Sequence, residues 1–576
     1  MNISRRKLLA GSAAVAALSA PALSWAASKR PPNIVIILAD DLGFSDLGCY
    51  GSEIPTPNID ALAGQGIRFT QFYNCAFCSP SRAALLTGTY PHQAGLGKLE
   101  QFPIEGSQGT LGRLTDRVVT SAEVLGQAGY FTAMAGKWHL GISHGVGPWQ
   151  RGFQRSFVSN QGRVYFPNQG GDPENGFFYI DGRKVSNTSP EAGGEDWYST
   201  DLFADRGLRL VEEARKKDQP FFLYLPFVNV HTPLMAPEEE IAKFKGKFSA
   251  GWDRLREARF ERQKALGVVP ATQSLPPREP NSYNWEKLNA EQRLKLERLM
   301  EIYAAAVSRL DKAVGDVVAR LKALGEYDNT LILFMSDNGS TAESGVDGTA
   351  RGERLGSAQS WVGNSMNWAT LSNTPLRYFK RFIHEGGIST PLIAHWPRGI
   401  DASLHGSFVR EPGHFVDVLP TLLELSGARY PSRYNGHAIL PYEGRSFAAA
   451  FSGRPVNRKV PIYWERDGDR AIRQGDWKLV LQNQSSTGLA PWALFNLKND
   501  RGETENLASL YPERVRELAT KWDIWAKRSF VDITVPGGRN YRTELQGRGT
   551  RQNWGTTRVP GSPAVPQAVD VTEIWE

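Results

Sequence analysis

The stretch Asn33-Ile34-Val35-Ile36-Ile37-Leu38-Ala39-Asp40-Asp41 decides the fold of this chain. An apolar run with almost no polar interruption is typical of a strand that is buried on both faces of a parallel sheet. The two acids that follow the run then lie at the carboxyl end of the strand, where open α/β sheets bind their ligands. The stretch therefore predicts both the architecture and the edge of the sheet that carries the site.

Further apolar runs repeat this pattern, and most of them also end in polar residues. The sequence predicts these strands at 131–135, 221–230, 330–335 and 391–396. Helical patterns lie between the runs, at 58–66, 121–126 and 294–324. The longest of them repeats an apolar side chain every three or four residues, which makes one apolar stripe. This alternation of strands and helices predicts an α/β fold with helices on both faces of the sheet.

After about residue 455 the sequence pattern changes from long apolar runs to short strand-like segments. Short strand-like segments at 461–464, 471–473, 477–480 and 493–495, followed by a helical pattern over 511–527, predict a small antiparallel sheet with one covering helix. We therefore divide the chain into three parts after its N-terminal segment: a candidate catalytic domain over 28–455, an antiparallel subdomain over 456–528 and a Gly-, Pro- and Arg-rich extension over 529–576. Residues 160–200 and 245–290 are predicted as long loops around the site.

The N-terminal segment, residues 1–27, resembles an export signal. Arg5, Arg6 and Lys7 precede an Ala-rich apolar stretch, and Ser24-Trp25-Ala26 offers a small-x-small cleavage site. The paired arginines resemble a twin-arginine signal, which predicts that the protein is exported to the periplasm or secreted. An ordinary secretory signal is the alternative, and it also leads outside the cytoplasm. No other segment is long and apolar enough to span a membrane, so we expect no stable membrane insertion after signal removal.

Charge and cysteine content exclude two classes of protein. The net charge is +7, and removing the three basic residues of the signal leaves +4. So mild a charge without a basic cluster argues against a nucleic acid partner. The three cysteines, Cys49, Cys75 and Cys78, are too few for a disulfide framework.

The run Cys78-Ser79-Pro80-Ser81-Arg82-Ala83-Ala84-Leu85-Leu86-Thr87-Gly88 carries the chemistry. Pro80 suits the first position of a helix and Gly88 suits its end, which places Cys78 just before the helix N-terminus. Free backbone N–H groups and the helix dipole favour anions at that point. A buried structural cysteine, or a redox pair with Cys75, is the alternative that this run alone leaves open.

This run resembles the maturation signature of the type I, formylglycine-dependent sulfatases, which belong to the alkaline phosphatase superfamily. Gly136-Lys137-Trp138-His139-Leu140-Gly141 and the segment 373–387 resemble motifs of the same family. The resemblance covers most of residues 33–510 and is closest to the bacterial arylsulfatases. It implies an alkaline-phosphatase-like fold, in which a large mixed, mostly parallel sheet is flanked by helices and followed by a smaller antiparallel sheet and helix.

Asp40, Asp41, Asp337 and Asn338 supply only oxygen ligands at the ends of two predicted strands. Oxygen ligands suit a hard divalent cation, Ca²⁺ or Mg²⁺, better than zinc. A single aspartate at a strand end more often caps a helix or a turn, but two such groups point to a metal. The resemblance implies that these residues hold one Ca²⁺ and that Cys78, oxidised to formylglycine, completes the site.

The resemblance also implies the reaction, which is hydrolysis of a sulfate monoester to an alcohol or phenol and inorganic sulfate. The catalytic residues that it implies are Cys78, Arg82, Lys137, His139, His231 and Lys380. Residue 78 would supply the nucleophile as a hydrated aldehyde, with Asp337 and His139 as proton acceptors. His231 or Lys380 would donate a proton to the leaving group, and Arg82 would stabilise the hydrate. The partners that follow are a formylglycine-generating maturation enzyme and a small-molecule or glycan sulfate ester.

Three other functions share parts of this pattern. A phosphonate monoester or phosphodiester hydrolase of the same superfamily can carry the Cys78 motif, although such relatives tend to have histidine where this chain has Asn338. A non-catalytic binding protein and a hydrolase with an unmodified Cys78 are the other two. Many sulfatases carry Arg where this chain has Ser389, so the chain departs from the family at one secondary contact.

Overall fold

The protein is described by a computed structural model that covers residues 30–169, 173–279, 282–484, 488–489 and 491–532. The expected export signal over 1–27 and most of the expected C-terminal extension lie outside the described residues. Within the described ranges, no helix has both the length and the apolar character needed to cross a bilayer. The boundaries of the three predicted parts of the chain remain predictions.

The strands are, in chain order, Asn33–Ala39 (β1), Ile67–Tyr73 (β2), Phe131–Lys137 (β3), Arg155–Ser159 (β4), Phe177–Ile180 (β5), Arg183–Ser186 (β6), Phe221–Pro226 (β7), Thr330–Ser336 (β8), Thr349–Arg351 (β9), Trp361–Gly363 (β10), Ser389–His395 (β11), Phe408–Val409 (β12), Gly413–His414 (β13), Arg433–Tyr434 (β14), His437–Ala438 (β15), Ile462–Arg466 (β16), Asp469–Gln474 (β17), Trp477–Leu481 (β18), Asn483–Gln484 (β19), Gly488–Leu489 (β20) and Ala493–Asn496 (β21). The α-helices are Pro57–Gly64 (α1), Cys78–Thr87 (α2), Ser121–Gln127 (α3), Ser199–Lys216 (α4), Glu238–Ala242 (α5), Gly251–Leu266 (α6), Ala290–Ala323 (α7), Met366–Ser372 (α8), Glu385–Ile388 (α9), Val418–Ser426 (α10) and Pro512–Arg528 (α11).

Strand β1 lies in the middle of the large sheet, as its apolar sequence predicts. The order of the sheet is β12-β2-β11-β8-β1-β7-β3-β4-β5-β6, with β13 also paired to β2. β1 is parallel to both of its neighbours, β7 and β8. β11 runs antiparallel to β2 and β8, and the β4-β5-β6 edge is antiparallel as well. The predicted large mixed, mostly parallel sheet is therefore confirmed.

The two faces of β1 pack into two different cores. Val35 and Ile37 point into one of them, together with the apolar stripe of α7, while Ile34 and Ile36 point into the other with α2 and α10. Successive side chains of a strand point to opposite faces, so a strand covered on both sides must be apolar at every position. This arrangement explains why the sequence of β1 does not alternate between apolar and polar residues.

The C-terminal part forms the predicted small antiparallel sheet, in the order β16-β17-β18-β21, with α11 packed against it. Trp522 and Trp525 of α11 are buried in that contact. A fully buried ion network joins this sheet to the large one, because Lys478 on β18 lies 3.1 Å from Glu385 Oε1 at the start of α9. The Tyr73 hydroxyl, at the end of β2, donates to the other oxygen of Glu385 at 2.8 Å.

Three expectations about secondary structure were wrong in detail. The region 245–290 contains helix α6 and is not only loop. Its inward-facing positions include Arg259 and Gln263, so the sequence shows no clean apolar stripe. The region 160–200 contains the antiparallel pair β5 and β6 and is not only loop, and the predicted strand over 221–230 ends as β7 at Pro226. Strand β2 was not predicted.

Candidate active site

Helix α2 presents Cys78 at its first turn. The helix begins at Cys78 itself, so Pro80 is its third residue and not its first, as the sequence had suggested. Gly88 ends the helix with a φ of +66°, a left-handed conformation that glycine adopts without strain. The thiol is buried and lies at the edge of the sheet where β1 and β8 end. The Cys78 side chain therefore faces the carboxyl ends of these two strands.

The acids after β1 and the amide after β8 surround the thiol. Cys78 Sγ lies 3.5 Å from Asp40 Oδ1 and 3.5 Å from Asn338 Oδ1. The amide nitrogen of Asn338 donates to Asp41 Oδ1 at 2.6 Å. Oxygen atoms from two strand ends thus point at one small volume beside residue 78.

This volume fits a hard divalent cation. Ligand atoms of Asp40, Asp41, Cys78 and His231 all lie within 4.8 Å of one another, and all four residues are buried. The carboxylate and amide oxygens are of the type that Ca²⁺ prefers. Asp40, Asp41, Asp337 and Asn338 would hold the ion, with the oxygen of a modified residue 78 as a further ligand; Asp337 Oδ1 lies 3.4 Å from the backbone nitrogen of Asp41. The residues present therefore suit the cation that the sequence analysis expects.

Arg82 neutralises two of the buried acids. Its Nε and Nη2 donate to Asp337 Oδ2 at 3.0 and 2.8 Å, and Nη2 lies 3.4 Å from Asp40 Oδ2. Its Nη1 donates to the carbonyl of Lys137 at 2.9 Å. All three charged side chains are completely buried, so each needs the others as a counter-charge.

Two lysines approach Asp40 and Asp41, one from the end of a strand and one from the turn between α8 and α9. Lys137, the last residue of β3, lies 2.7 Å from Asp40 Oδ2. Lys380 lies 2.9 Å from Asp41 Oδ1, and its Nζ is 3.4 Å from His231 Nε2. His231 Nδ1 donates to the carbonyl of Thr232 at 2.5 Å, since that carbonyl can only accept. His231 Nε2 is thus the nitrogen that faces Lys380.

The carboxyl groups of the site differ in their pKa values because their neighbours differ. Burial opposes ionisation of Asp40, but Lys137, His231 and Arg82 outweigh it and hold the pKa of Asp40 well below its usual range. Burial and the charge of Asp40 raise the pKa of Asp41 to about 7, although Lys380 lowers it. Burial and Asp40 also raise the pKa of Asp337 to about 6. A divalent cation would favour the ionised form of all three carboxyl groups.

His139 follows strand β3 but is not part of it. β3 ends at Lys137, and His139 has a left-handed φ of +56°. Its backbone N–H donates to the carbonyl of Asn160 at 3.0 Å. Its Nε2 lies 3.1 Å from Gln101 Oε1. Burial and the charges of Lys137 and Arg82 hold the pKa of His139 well below its usual value.

The structure brings the predicted residues together at one site. Direct contacts join Asp40, Asp41, Cys78, Arg82, Lys137, His231, Asp337, Asn338 and Lys380. His139, two residues after Lys137, is buried, and its Nε2 contacts Gln101.

Sequence reasoning missed the residues that support this set. Glu343 lies 3.4 Å from Lys380 Nζ and 3.0 Å from Arg381 Nε, yet nothing in the loop around it marks it as functional. An arginine from the C-terminal part of the chain contacts Ser389. Arg501 Nη2 donates to Ser389 Oγ at 3.2 Å and lies 3.1 Å from Glu385 Oε2.

Two family models match the chain. The model described as "Sulfatase" matches residues 32–428, which include all the site residues named above. The model described as "N-sulphoglucosamine sulphohydrolase, C-terminal" matches residues 376–521.

Known proteins are similar over most of the chain. An uncharacterised sulfatase of Schizosaccharomyces pombe is 36% identical over 541 residues, which cover 88% of this chain and 96% of that protein. An arylsulfatase of Klebsiella aerogenes is 35% identical over 454 residues, or 76% of this chain and 96% of that protein. The crystal structure of Ps i-CgsB has a TM-score of 0.65 at 29% identity, and the match covers 90% of this chain and 98% of that one. A second structure of that protein, in complex with k-i-k-neocarrahexaose, has a TM-score of 0.63 at 28% identity and covers 92% of this chain and 100% of that one.

Proposed function

The chain belongs to the sulfatase family and is a sulfuric ester hydrolase, and we propose that it acts on sulfate monoesters through a formylglycine made from Cys78 beside one Ca²⁺. One observation carries this proposal. Cys78 Sγ is equally far, 3.5 Å, from Asp40 Oδ1 and Asn338 Oδ1, so residue 78 and the oxygen ligands face one point. A structural thiol does not require carboxylate and amide oxygens beside it, whereas a nucleophilic oxygen activated by a hard cation requires such oxygens to bind the cation.

A sulfate monoester is an anion with a tetrahedral, weakly electrophilic centre, so its oxygens must be neutralised before it can react. When present, Ca²⁺ would supply a Lewis acid at the sulfate oxygens and the hydrated formylglycine would supply the nucleophilic hydroxyl. Lys137 and Lys380 lie on two sides of the acids and would bind sulfate oxygens from there. Arg82 keeps Asp337 in place, with Oδ2 held by two N–H groups.

Proton transfer at the leaving group is assigned to the pair of His231 and Lys380. His231 Nδ1 is committed to the Thr232 carbonyl, and His231 Nε2 faces Lys380 Nζ at 3.4 Å. One of these two groups would donate a proton to the departing oxygen. His139, on the other side of the site, would take up a proton from residue 78. Separate acids and bases thus serve the two halves of the reaction.

The substrate that we propose is an arylsulfatase-like ester of a small alcohol or phenol, or a sulfated glycan. Similarity to the arylsulfatase of Klebsiella aerogenes supports the first class. Similarity to Ps i-CgsB, whose structure was determined with k-i-k-neocarrahexaose, supports the second. A panel of sulfate esters from both classes would distinguish them.

We also propose that the protein is exported, to the periplasm or beyond, by a twin-arginine signal and that a maturation enzyme modifies Cys78 before folding is complete. The sequence of the N-terminal segment supports the first part. The burial of Cys78 supports the second, since an enzyme could not reach this side chain in the folded protein. Expression with and without the signal, followed by fractionation, tests the route.

The decisive experiment compares Cys78→Ala with the wild type, co-expressed with a formylglycine-generating enzyme. We expect mass spectrometry to find the aldehyde at residue 78 in active protein, and the variant to lose hydrolysis of an aryl sulfate while it unfolds at a similar urea concentration. A parallel assay with an aryl phosphodiester tests the phosphonate monoester and phosphodiester alternative. Activity retained by Cys78→Ala, or a preference for the phosphodiester, would refute the proposal.

A further inference from the structure

The segment 98–102 covers the start of helix α2 beside the reactive residue. Leu99 is buried against Phe77 and Cys78, and Phe102 packs against the same small cluster. Glu100 in the middle of the segment is fully buried and points away from Cys78, toward the turn after His139. The segment is therefore fixed on both sides and presents residue 101 at a defined position.

Glu100 joins this segment to the turn that carries His139. Its Oε2 accepts from the backbone N–H of Gly141 at 2.6 Å, and its Oε1 accepts from Ser143 Oγ at 2.8 Å. Its carbonyl accepts from His144 Nε2 at 2.7 Å. All three hydrogen bonds are made by Glu100, and they tie the residue before Gln101 to the turn 141–144 that follows His139, which limits how far Gln101 and His139 can move apart.

The two ring nitrogens of His139 have different surroundings. Nε2 lies 3.1 Å from Gln101 Oε1. Nδ1 is buried and has no hydrogen-bond partner among the described residues. His139 as a whole is only 4% exposed, so the surrounding packing leaves its ring little room to turn and exchange the two nitrogens.

An amide oxygen can only accept, so its neighbour Nε2 must carry the hydrogen. A neutral imidazole has one N–H, and Nδ1 is then the nitrogen with a free lone pair. We propose that Gln101 is a positioning residue that holds His139 in the Nε2–H tautomer and leaves Nδ1 as the proton acceptor inside the site. Gln101 does not touch the reacting atoms and acts through His139 alone.

This inference rests on the proposed function for its catalytic consequence, but not for the tautomer itself. In the proposed reaction His139 Nδ1 would accept the proton of the free hydroxyl on the modified residue 78, while the bond from the same carbon to the sulfate oxygen breaks, sulfate departs and the aldehyde re-forms. The opposite tautomer would present an N–H at the same point and could not accept a proton. Loss of the Gln101 contact would therefore lower turnover more than it lowers substrate binding.

The first test reads the tautomer directly and needs no activity. We would label the nine histidines of the chain with ¹⁵N and record long-range ¹H–¹⁵N correlations of the full-length protein, with Cys78 unmodified. The His139 signals are assigned by their loss in His139→Gln. We expect the pattern of an Nε2–H imidazole in the wild type and a mixture of tautomers in Gln101→Met, which keeps the length of the side chain and removes the acceptor. An Nδ1–H pattern in the wild type, or no change in Gln101→Met, would overturn the proposal.

The second test separates turnover from binding in matured enzyme. We expect Gln101→Met to lower kcat about 10- to 100-fold, the range usual for partners that orient a functional side chain, with little change in KM. Gln101→Glu keeps an acceptor at the same place and should restore most of the loss. Gln65→Met, at an exposed glutamine that follows α1, is the matched control and should behave as wild type. Equal kcat in Gln101→Met and Gln65→Met, or no rescue by Gln101→Glu, would refute the role. An inactive wild type would refute the proposed function and leave the tautomer result intact.

Discussion

The side-chain amide of Asn338 donates to Asp41 Oδ1 across 2.6 Å, a contact that joins the end of β8 to the end of β1. This bond fixes which way the amide faces. Because its nitrogen is used by Asp41, its oxygen is left for the point that it shares with Cys78 Sγ, 3.5 Å away. In the proposed metal site, Asn338 would therefore supply one ligand and align a second, Asp41.

The first prediction concerns this double role. Asn338→Ala removes one oxygen ligand and the alignment of Asp41, so we expect the affinity for Ca²⁺ to fall at least about tenfold. Activity measured against buffered free Ca²⁺ gives the affinity. Asn33→Ala, at a buried asparagine that begins β1 and therefore lies at the opposite end of that strand from Asp40, is the control and should leave the affinity unchanged. Equal Ca²⁺ dependence in both variants would contradict the assignment.

Metal binding at the proposed site should also raise the thermal stability of the protein. A ligand that binds only the folded protein stabilises it, by about 2.7 kcal/mol at 100 times its Kd. We expect saturating Ca²⁺ to raise the Tm of the wild type and a chelator to lower it. Asp41→Asn should respond much less, because Asp41 is one of the buried ligands. A chelator that leaves the wild-type Tm and activity unchanged would argue against a metal at this site.

A third prediction tests the cationic side of the site. Lys380→Met removes the charge that faces Asp41 and His231, and we expect kcat/KM for an aryl sulfate to fall about 10²- to 10³-fold. Lys312→Met removes an exposed lysine that pairs with Asp316 on α7 and should have no effect. Steady-state kinetics of the two variants, together with their urea midpoints, separates a local defect from unfolding. Similar activity in both variants would remove Lys380 from the machinery.

The buried pair of Arg82 and Asp337 makes a prediction about stability. Arg82→Leu leaves an aspartate buried without its guanidinium, and breaking such a pair costs about 3–5 kcal/mol of unfolding free energy. The exposed pair of Arg209 and Asp205 on α4 is the comparison, and Arg209→Leu should cost less than about 1 kcal/mol. Urea unfolding of the unmodified protein measures both values. Equal losses would show that burial does not govern the energy of the Arg82 pair.

A buried histidine far from the site sets a pH dependence of stability. Burial lowers the pKa of His395 from 6.5 to about 4, so the unfolded chain binds its proton more readily than the folded chain does. The stabilisation is complete above about pH 6.5 and is lost as the pH falls toward 4, by on the order of 3 kcal/mol. We expect His395→Phe to lose less stability than the wild type between pH 7 and pH 4. His437→Phe, at an exposed position on β15, should follow the wild type, and a parallel loss in all three proteins would contradict the argument.

The sequence predicted structure best where a single physical requirement, such as burial on both faces, determined the residue pattern. β1 was predicted to the residue because a strand covered on both faces must be apolar throughout. The acids at its end were predicted as a site because the sheet brings the carboxyl ends of its strands together. Helix α7, predicted over 294–324 and observed over Ala290–Ala323, was recognised from its apolar stripe.

What the sequence did not predict depends on contacts between distant loops. Gln101 and Glu343 lie in segments without periodicity, and only the folded chain brings them to His139 and Lys380. Helix α6 was hidden because two of its buried positions, Arg259 and Gln263, bind polar partners. Spacing predicts which face a residue occupies, but it does not predict a partner on another loop.

The ion network around Glu385 has a consequence for dissection of the protein. Lys478 and Arg501 of the C-terminal part are its buried counter-charges, and Glu385 in turn holds Tyr73, five positions before Cys78. A chain truncated before β16 would lose both counter-charges of Glu385. The carboxylate of Glu385 would then be exposed beside the end of β2, which leads directly to Cys78. The catalytic part should therefore be insoluble or inactive when expressed by itself. Calorimetry of the intact protein should show one melting transition, so the two sheets form a single cooperative unit despite their separate hydrogen-bonding patterns.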